Sequence, residues 1–194
     1  MTASAPRQGN PWVAVRPGDD VDLLARRVST AHRSFVEDRS SSGNVRSVIL
    51  DSWLRSRIKG VDPDGGSEQP ALSGAELDRY RDAHPMAIIR PVIRKLLVED
   101  AAETGLLVAI SDADGRLLWV EGDSAAKDRA LSMNFAEGTD WSEESKGTNA
   151  PGTALAVDHC VQIFAAEHFT RTVHEWSCSA APVHHPTSGH ILGA

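Results

Sequence analysis

The spacing of apolar residues changes once along this chain, at Gly105, and that change restricts the fold more than any other feature. Upstream the spacing is helical. Val21, Leu24, Ala25, Val28 and Phe35 recur at i, i+3, i+4 and i+7, the signature of one buried helix face. Downstream, "LLVAISDADGRLLWVEG" is two apolar runs flanking Asp114-Gly115, a strong hairpin signal. Leu106, Val108 and Ile110 occupy one parity of the first run and Leu107 and Ala109 the other, so this strand is expected to be buried on both faces. "VQIFAAE", "SCSAAPVHH" and "HILGA" read as further strands, and Ala125 to Met133 as a short helix. A helical half followed by an antiparallel sheet with helices interspersed is an α+β arrangement.

Residues 1–20, rich in Pro, Gly and small polar groups, read as a mobile arm, and residues 21–104 as a helical N-terminal region. "SSSG" at Ser40 to Gly43 ends the first helix. A second runs from about Val45, with Val48, Ile49 and Trp53 on one side and Leu50, Leu54 and Ile58 on another. Two apolar sides imply two neighbours, a partner subunit among them. Gly60 ends this helix, and Ser73 with Glu76 forms a capping box that starts the next. From Met86 to Glu103 the spacing is helical again, with Ile89, Ile93, Leu96, Leu97 and Ala101 on one face and a kink or restart expected at Pro91.

Composition and motif spacing exclude several functions. The chain has 194 residues and a formal charge of −7, with the acids spread along it, so it lacks the basic face that unaided nucleic-acid binding requires. Its one basic cluster, Arg55, Arg57 and Lys59, reads as a solvated helix end. "GTNAPGTA", from Gly147 to Ala154, imitates a phosphate loop, but Thr153 stands where the pattern needs Lys, and Pro151 removes a backbone donor. Cys160 and Cys178 make no disulfide framework. No run of apolar residues is long enough for a signal peptide or a membrane span, so a cytoplasmic protein is expected. His159, His168, His174, His184, His185 and His190 lack the paired spacing of zinc ligands, so no metal is expected. No nucleophile–base constellation is visible, and Glu143-Glu144 reads as a loop pair without a partner.

Four separated motifs occur in one order: the helix "SWLRS", the Asp-Gly hairpin, the "GTN" helix start and the strand "WSCSAAP". In these the chain resembles the N-terminal GAF-type sensor region of bacterial transcription regulators of the acetoin-catabolism activator kind. The resemblance covers nearly everything after Val45. It implies an antiparallel sheet of about six strands flanked by helices over residues 105–194, with its last strand truncated at Ala194. It also implies a small-molecule effector and contact with DNA only through a domain absent from this chain; a homodimer through the N-terminal helices is expected from the two apolar sides of the second helix.

In that family the Gly-Thr-Asn segment opens a helix, consistent with Gly147 as a tight entry and Thr148 or Asn149 as a cap. A ligand pocket is expected between the sheet and the segment from Phe135 to Thr148. Trp119, Phe135, Trp141, Phe164, His168 and Trp176 are its expected wall, with Asn149 and Thr153 as polar contacts and Trp141 at the mouth. No cofactor is expected, since no haem-specific motif accompanies His168. Two other classes stand beside the non-enzymatic sensor. One is a thiol-dependent reductase of free methionine sulfoxide, which needs an activated cysteine. The other is a purely dimerising module.

Overall fold

The computed structural model describes residues 10–37, 45–65, 72–99 and 104–194. Four helices precede the first strand: α1 (Val21–Glu37), α2 (Ser47–Ile58), α3 (Gly74–Ala83) and α4 (Met86–Ile93). The expected helix from Met86 is continuous through Pro91, which neither breaks nor restarts it, and passes into a π-type turn at Arg94–Val98. Ala101 lies outside the described residues. Ser73 precedes α3, but its side chain makes no cap bond, so the expected capping box does not form.

Strands β1 (Leu107–Ser111) and β2 (Leu117–Gly122) pair antiparallel, with a register shift between Ile110 and Ser111. Their connection is longer than the two-residue turn the sequence suggested. Asp112 Oδ1 accepts the N–H groups of both Asp114 and Arg116 and so organises a wider loop. The bulge also sorts the side chains. Leu118 and Trp119 pack with Met86 and Ile110, whereas Leu117 and Val120 pack with Trp141 and Val173.

Helices α5 (Ser124–Leu131), α6 (Glu143–Lys146) and α7 (Ala150–Val157) follow, then β3 (Val161–Phe164), β4 (Ser177–Ala180), β5 (Val183–His184) and β6 (Ile191–Gly193). The strands form three two-stranded ladders, β1–β2, β3–β4 and β5–β6, rather than one sheet of about six strands. The last ladder joins the first through one backbone bond, from Ser111 N–H to the carbonyl of Ala194 at 2.8 Å.

The helices α1 and α2 belong to the same core as the C-terminal half. Ala31, Phe35, Val48, Ile49 and Trp53 are buried together with Ala150, Ala154, Val161, Ile163 and Phe169. Leu50 and Leu54 also pack on this cluster, so the second apolar side of α2 is covered within the chain and only Ile58 is left outside. Residues 10–14, placed by sequence in a mobile arm, run beside β3. Gln162 N–H donates to the Trp12 carbonyl at 3.0 Å, and Ala14 N–H donates to Gln162 Oε1 at 3.1 Å. Arg46 holds this corner. It donates to both oxygens of Glu167 and to the carbonyls of Pro11 and Gln162.

Candidate functional site

Two sequence motifs far apart in the chain meet at α6. On α2, Ser52 and Arg55 project from one side, and Lys59 caps the same helix one turn later. Helix α6 starts where Ser142 Oγ accepts the Ser145 N–H at 3.2 Å, and ends at Gly147, whose φ is +68°. Its first residue, Glu143, is buried. Arg55 donates to Glu143 from Nε at 2.5 Å and from its terminal nitrogen at 3.0 Å, and Ser52 Oγ donates to it at 2.7 Å. Its second residue, Glu144, pairs with Lys59 at the surface. The two acids thus form a helix with one cation each. The glutamates therefore differ from the partnerless loop pair expected of them, whereas Arg55, Arg57 and Lys59 do form the expected solvated end of α2, from which Arg55 also reaches a buried acid. Arg57 lies over the Phe35 ring, 4.4 Å from its centroid.

The Gly-Thr-Asn segment completes this junction. Thr148 Oγ1 lies 2.6 Å from Ser52 Oγ. Asn149 is the N-cap of α7, its Oδ1 accepting the Gly152 N–H at 2.9 Å while its Nδ2 donates to the Gly147 carbonyl at 2.7 Å. Thr153 Oγ1 accepts the Asn149 N–H at 3.3 Å. Both expected polar contacts are therefore buried and engaged with the chain itself. Gly152 is required by contact: a Cβ there would stand 2.5 Å from Glu143 N and 2.6 Å from the Trp141 carbonyl.

On its outer side α6 borders a cleft of about 730 Å³. Lys59, Val61, Asp62 and Asp64 form one wall, Glu144, Ser145 and Lys146 another, and Ser132 to Asn134 with Thr170, Thr172 and Val173 the remainder. Trp141 lines it too, with Lys146 Nζ 5.9 Å from the centroid of its ring. Charges of both signs face the cleft, and two ion pairs, Lys59–Glu144 and Asp64–Arg171, brace it. Ser145 Oγ is buried without a hydrogen-bond partner.

The structure does not gather the expected wall. Only Trp141 of that set borders the cleft. Phe135 packs edge-on behind it, ring centroids 4.6 Å apart, and Trp176 joins the same cluster, so these rings fill core. Trp119 lies in the other cluster beyond the bulge, beneath Arg90. Phe164 is buried on β3. His168 is also buried, with Nδ1 donating to the Ala165 carbonyl at 2.9 Å and Nε2 unpartnered. The wall facing α6 is the loop after α2 and the turn at residues 170–173, not the sheet as expected.

Histidines stand behind that turn. His32 of α1 donates from Nε2 to the Phe169 carbonyl at 2.8 Å, and His174 donates to the His168 carbonyl at 3.1 Å. Their rings meet edge-on with centroids 4.7 Å apart. Burial lowers the pKa of His32 and of His168 to about 4 and also lowers that of His174. Burial pushes the Cys178 thiol up to about 11, the reverse of activation. Among the described residues no group of His, Cys, Asp and Glu converges as a metal site, and no helix is long and apolar enough to cross a membrane.

Sequence reasoning missed Ser52, Arg55, Lys59 and the paired glutamates. The signal was present in the polar positions of "SWLRSRIK", which recur along one helix face beside the buried Trp53.

A family model described as the MimR N-terminal domain matches residues 28–194. The chain is 71% identical over 193 residues to an uncharacterized 47.3 kDa protein in the thcA 5' region of Rhodococcus erythropolis, covering 96% of this chain and 44% of that one. It is 35% identical over 156 residues to the acetoin dehydrogenase operon transcriptional activator AcoR of Bacillus subtilis, covering 79% of this chain and 26% of AcoR. The chain thus spans less than half the length of these curated relatives. In fold it is similar to the crystal structure of the E. coli DhaR(N)–DhaL complex, with a TM-score of 0.61 at 20% identity over 75% of this chain and 50% of that one.

Proposed function

The chain belongs to the MimR N-terminal domain family, and on that premise we propose that it is the effector-sensing region of a transcriptional activator, a GAF-type sensor acting in the cytoplasm. A small molecule enters the cleft beside α6, and contact with DNA is made by a domain outside this chain. The relatives named as transcriptional activators support the regulatory role. The observation that carries the site is the division of α6. Glu144, Ser145 and Lys146 border the cleft while Glu143, one residue away, is held by Ser52 and Arg55 of α2.

Glu143 and Glu144 are neighbours on one four-residue helix, so a ligand that displaces α6 as a body also displaces the carboxylate held by α2. Occupancy of the cleft is therefore felt at α2, and residues 21–104 act as the relay to the sensor over 105–194. A homodimer through the N-terminal helices belongs to this reading. The fold neighbour is a complex with a second protein, DhaL, which supports protein contacts as another input.

Thermal-shift screening against small metabolites, in parallel on Thr172→Trp, tests the site. Thr172 is exposed at the cleft wall, so an indole there fills the space without disturbing the core. Stabilising compounds are expected to act on the wild type and to lose their effect on the variant. Compounds that stabilise both equally place the site elsewhere. A broad metabolite set that stabilises neither counts against effector sensing.

A further inference from the structure

The turn that forms one wall of the cleft is held from behind by imidazoles. The chain leaves β3 at Ala165, a non-glycine residue with φ +48°, and reaches the cleft as a short 3-10 turn at Arg171–Val173. Three carbonyls of this segment accept from histidine side chains. Ala165 takes His168 Nδ1, His168 takes His174 Nε2, and Phe169 takes His32 Nε2 of α1. Thr170 Oγ1 donates to the Lys146 carbonyl at 2.8 Å, and Arg171 N–H donates to the Pro63 carbonyl at 2.8 Å, which ties the segment to the other two walls. The rings of His32 and His174 touch each other, and His32 also meets Trp53 and Phe169 edge-on. The charged and titratable groups facing this pair are Arg171 and His168 from the same segment and Asp64, which pairs with Arg171. Two imidazolium rings beside a guanidinium would leave one carboxylate to balance three positive charges in a mostly buried space. Only neutral rings fit there.

We propose that His32 and His174 form a proton-operated latch on this wall. Neutral, they hold residues 170–173 against the cleft; protonated, His174 swings to solvent and the wall comes free. The latch rests on the cleft being the effector site for its use, but not for its test. His174 is the ring that moves, because it is partly exposed at the end of the turn while His32 is buried on α1. In the closed form burial holds the pKa of His174 below its ordinary 6.5, and in the open form water restores it. The open form therefore carries a proton that the closed form lacks. Its population rises by up to about tenfold for each pH unit below the ordinary value. A local opening of this kind frees the wall without unfolding the core.

Amide hydrogen exchange on the whole chain, read by mass spectrometry from about pH 7 to about pH 5 and corrected for the intrinsic rates, tests this. Protection over residues 168–174 is expected to fall by up to about tenfold per pH unit, while β1 and β2 keep theirs. His174→Gln, whose amide still donates to the His168 carbonyl, is expected to remove most of that slope. His190→Gln, at an exposed histidine, is expected to leave it unchanged. Protection that does not depend on pH in the wild type overturns the latch, as does a slope that survives in His174→Gln. An equal fall across β1 and β2 overturns it too, because the change is then global unfolding. The thermal-shift comparison with Thr172→Trp tests the cleft separately, so either reading fails without the other.

Discussion

Arg55 grips both carboxylate oxygens of Glu143, with Nε at 2.5 Å from Oε1 and the terminal nitrogen at 3.0 Å from Oε2. The acid is buried while the guanidinium reaches solvent, so the pair is charge-assisted without being fully desolvated. The second oxygen also accepts the Ser52 hydroxyl, which joins α2 to α6 by two side chains on one carboxylate.

Removing the guanidinium should therefore cost more than an ordinary surface ion pair. Arg55→Ala is expected to lower unfolding stability by about 2 kcal/mol, below the cost of breaking a fully buried pair because Ser52 still donates to Glu143. Glu143→Gln should cost less, since its amide oxygen still accepts from Ser52. Urea denaturation measures both. Equal and negligible losses would show that α6 is not held by this pair.

Acid should weaken the fold through the histidines. His32 and His168 have pKa values near 4 in the folded chain against an ordinary 6.5. Between those limits the unfolded chain binds protons that the folded chain does not, so stability falls as pH drops from 6.5 towards 4. The full effect is about 3 kcal/mol for each ring. His168→Gln should flatten the dependence of stability on pH across that window. An unchanged slope would mean that this ring is not buried in its neutral form.

Gly152→Ala should disrupt the junction although it adds one methyl group. The nearest atoms are backbone, Glu143 N and the Trp141 carbonyl, and neither can rotate away. A loss of about 3 kcal/mol is expected, at the upper end for overpacking. A thermal midpoint within a degree or two of the wild type would show that the junction gives way freely.

The two thiols should differ sharply in reactivity. Cys160 is exposed, whereas Cys178 is packed among the apolar residues beside β3 with its thiol near 11. Alkylation at neutral pH should label one cysteine quickly and the second only on unfolding. Rapid modification of Cys178, with methionine sulfoxide turnover that is lost in Cys178→Ser, would favour the reductase class instead.

The helix–strand order was legible because it depends on spacing. Val28 and Phe35 fall on the buried face of α1, and the apolar runs flanking Asp114-Gly115 became β1 and β2. Asn149 as a cap was legible too, since it depends on local bonding. What could not be read was which cluster each ring joins. A single bulge separates Trp119 from Trp141, and no periodicity announces it. The cleft was hidden for a similar reason. Its walls come from segments more than 100 residues apart, and its charged residues look like any solvated surface until they pair. Gly105 marks a change of period but not a division of the core, because Phe35, Ile49 and Trp53 are buried against Val161 and Ile163.

The segment from Asn10 to Ala14 has a consequence beyond its few hydrogen bonds. Strand β3 pairs with β4 along one edge, and Trp12 and Ala14 meet Gln162 along the other. That outer edge would otherwise present free backbone donors and acceptors to any extended chain in solution. Trp12, stacked on His159 with centroids 4.0 Å apart, and Arg46, bound to the Pro11 carbonyl, hold the cover in place. These residues act as a sheath on a vulnerable strand, so shortening the chain past Ala14 trades a few weak contacts for a sticky edge and a protein prone to self-association.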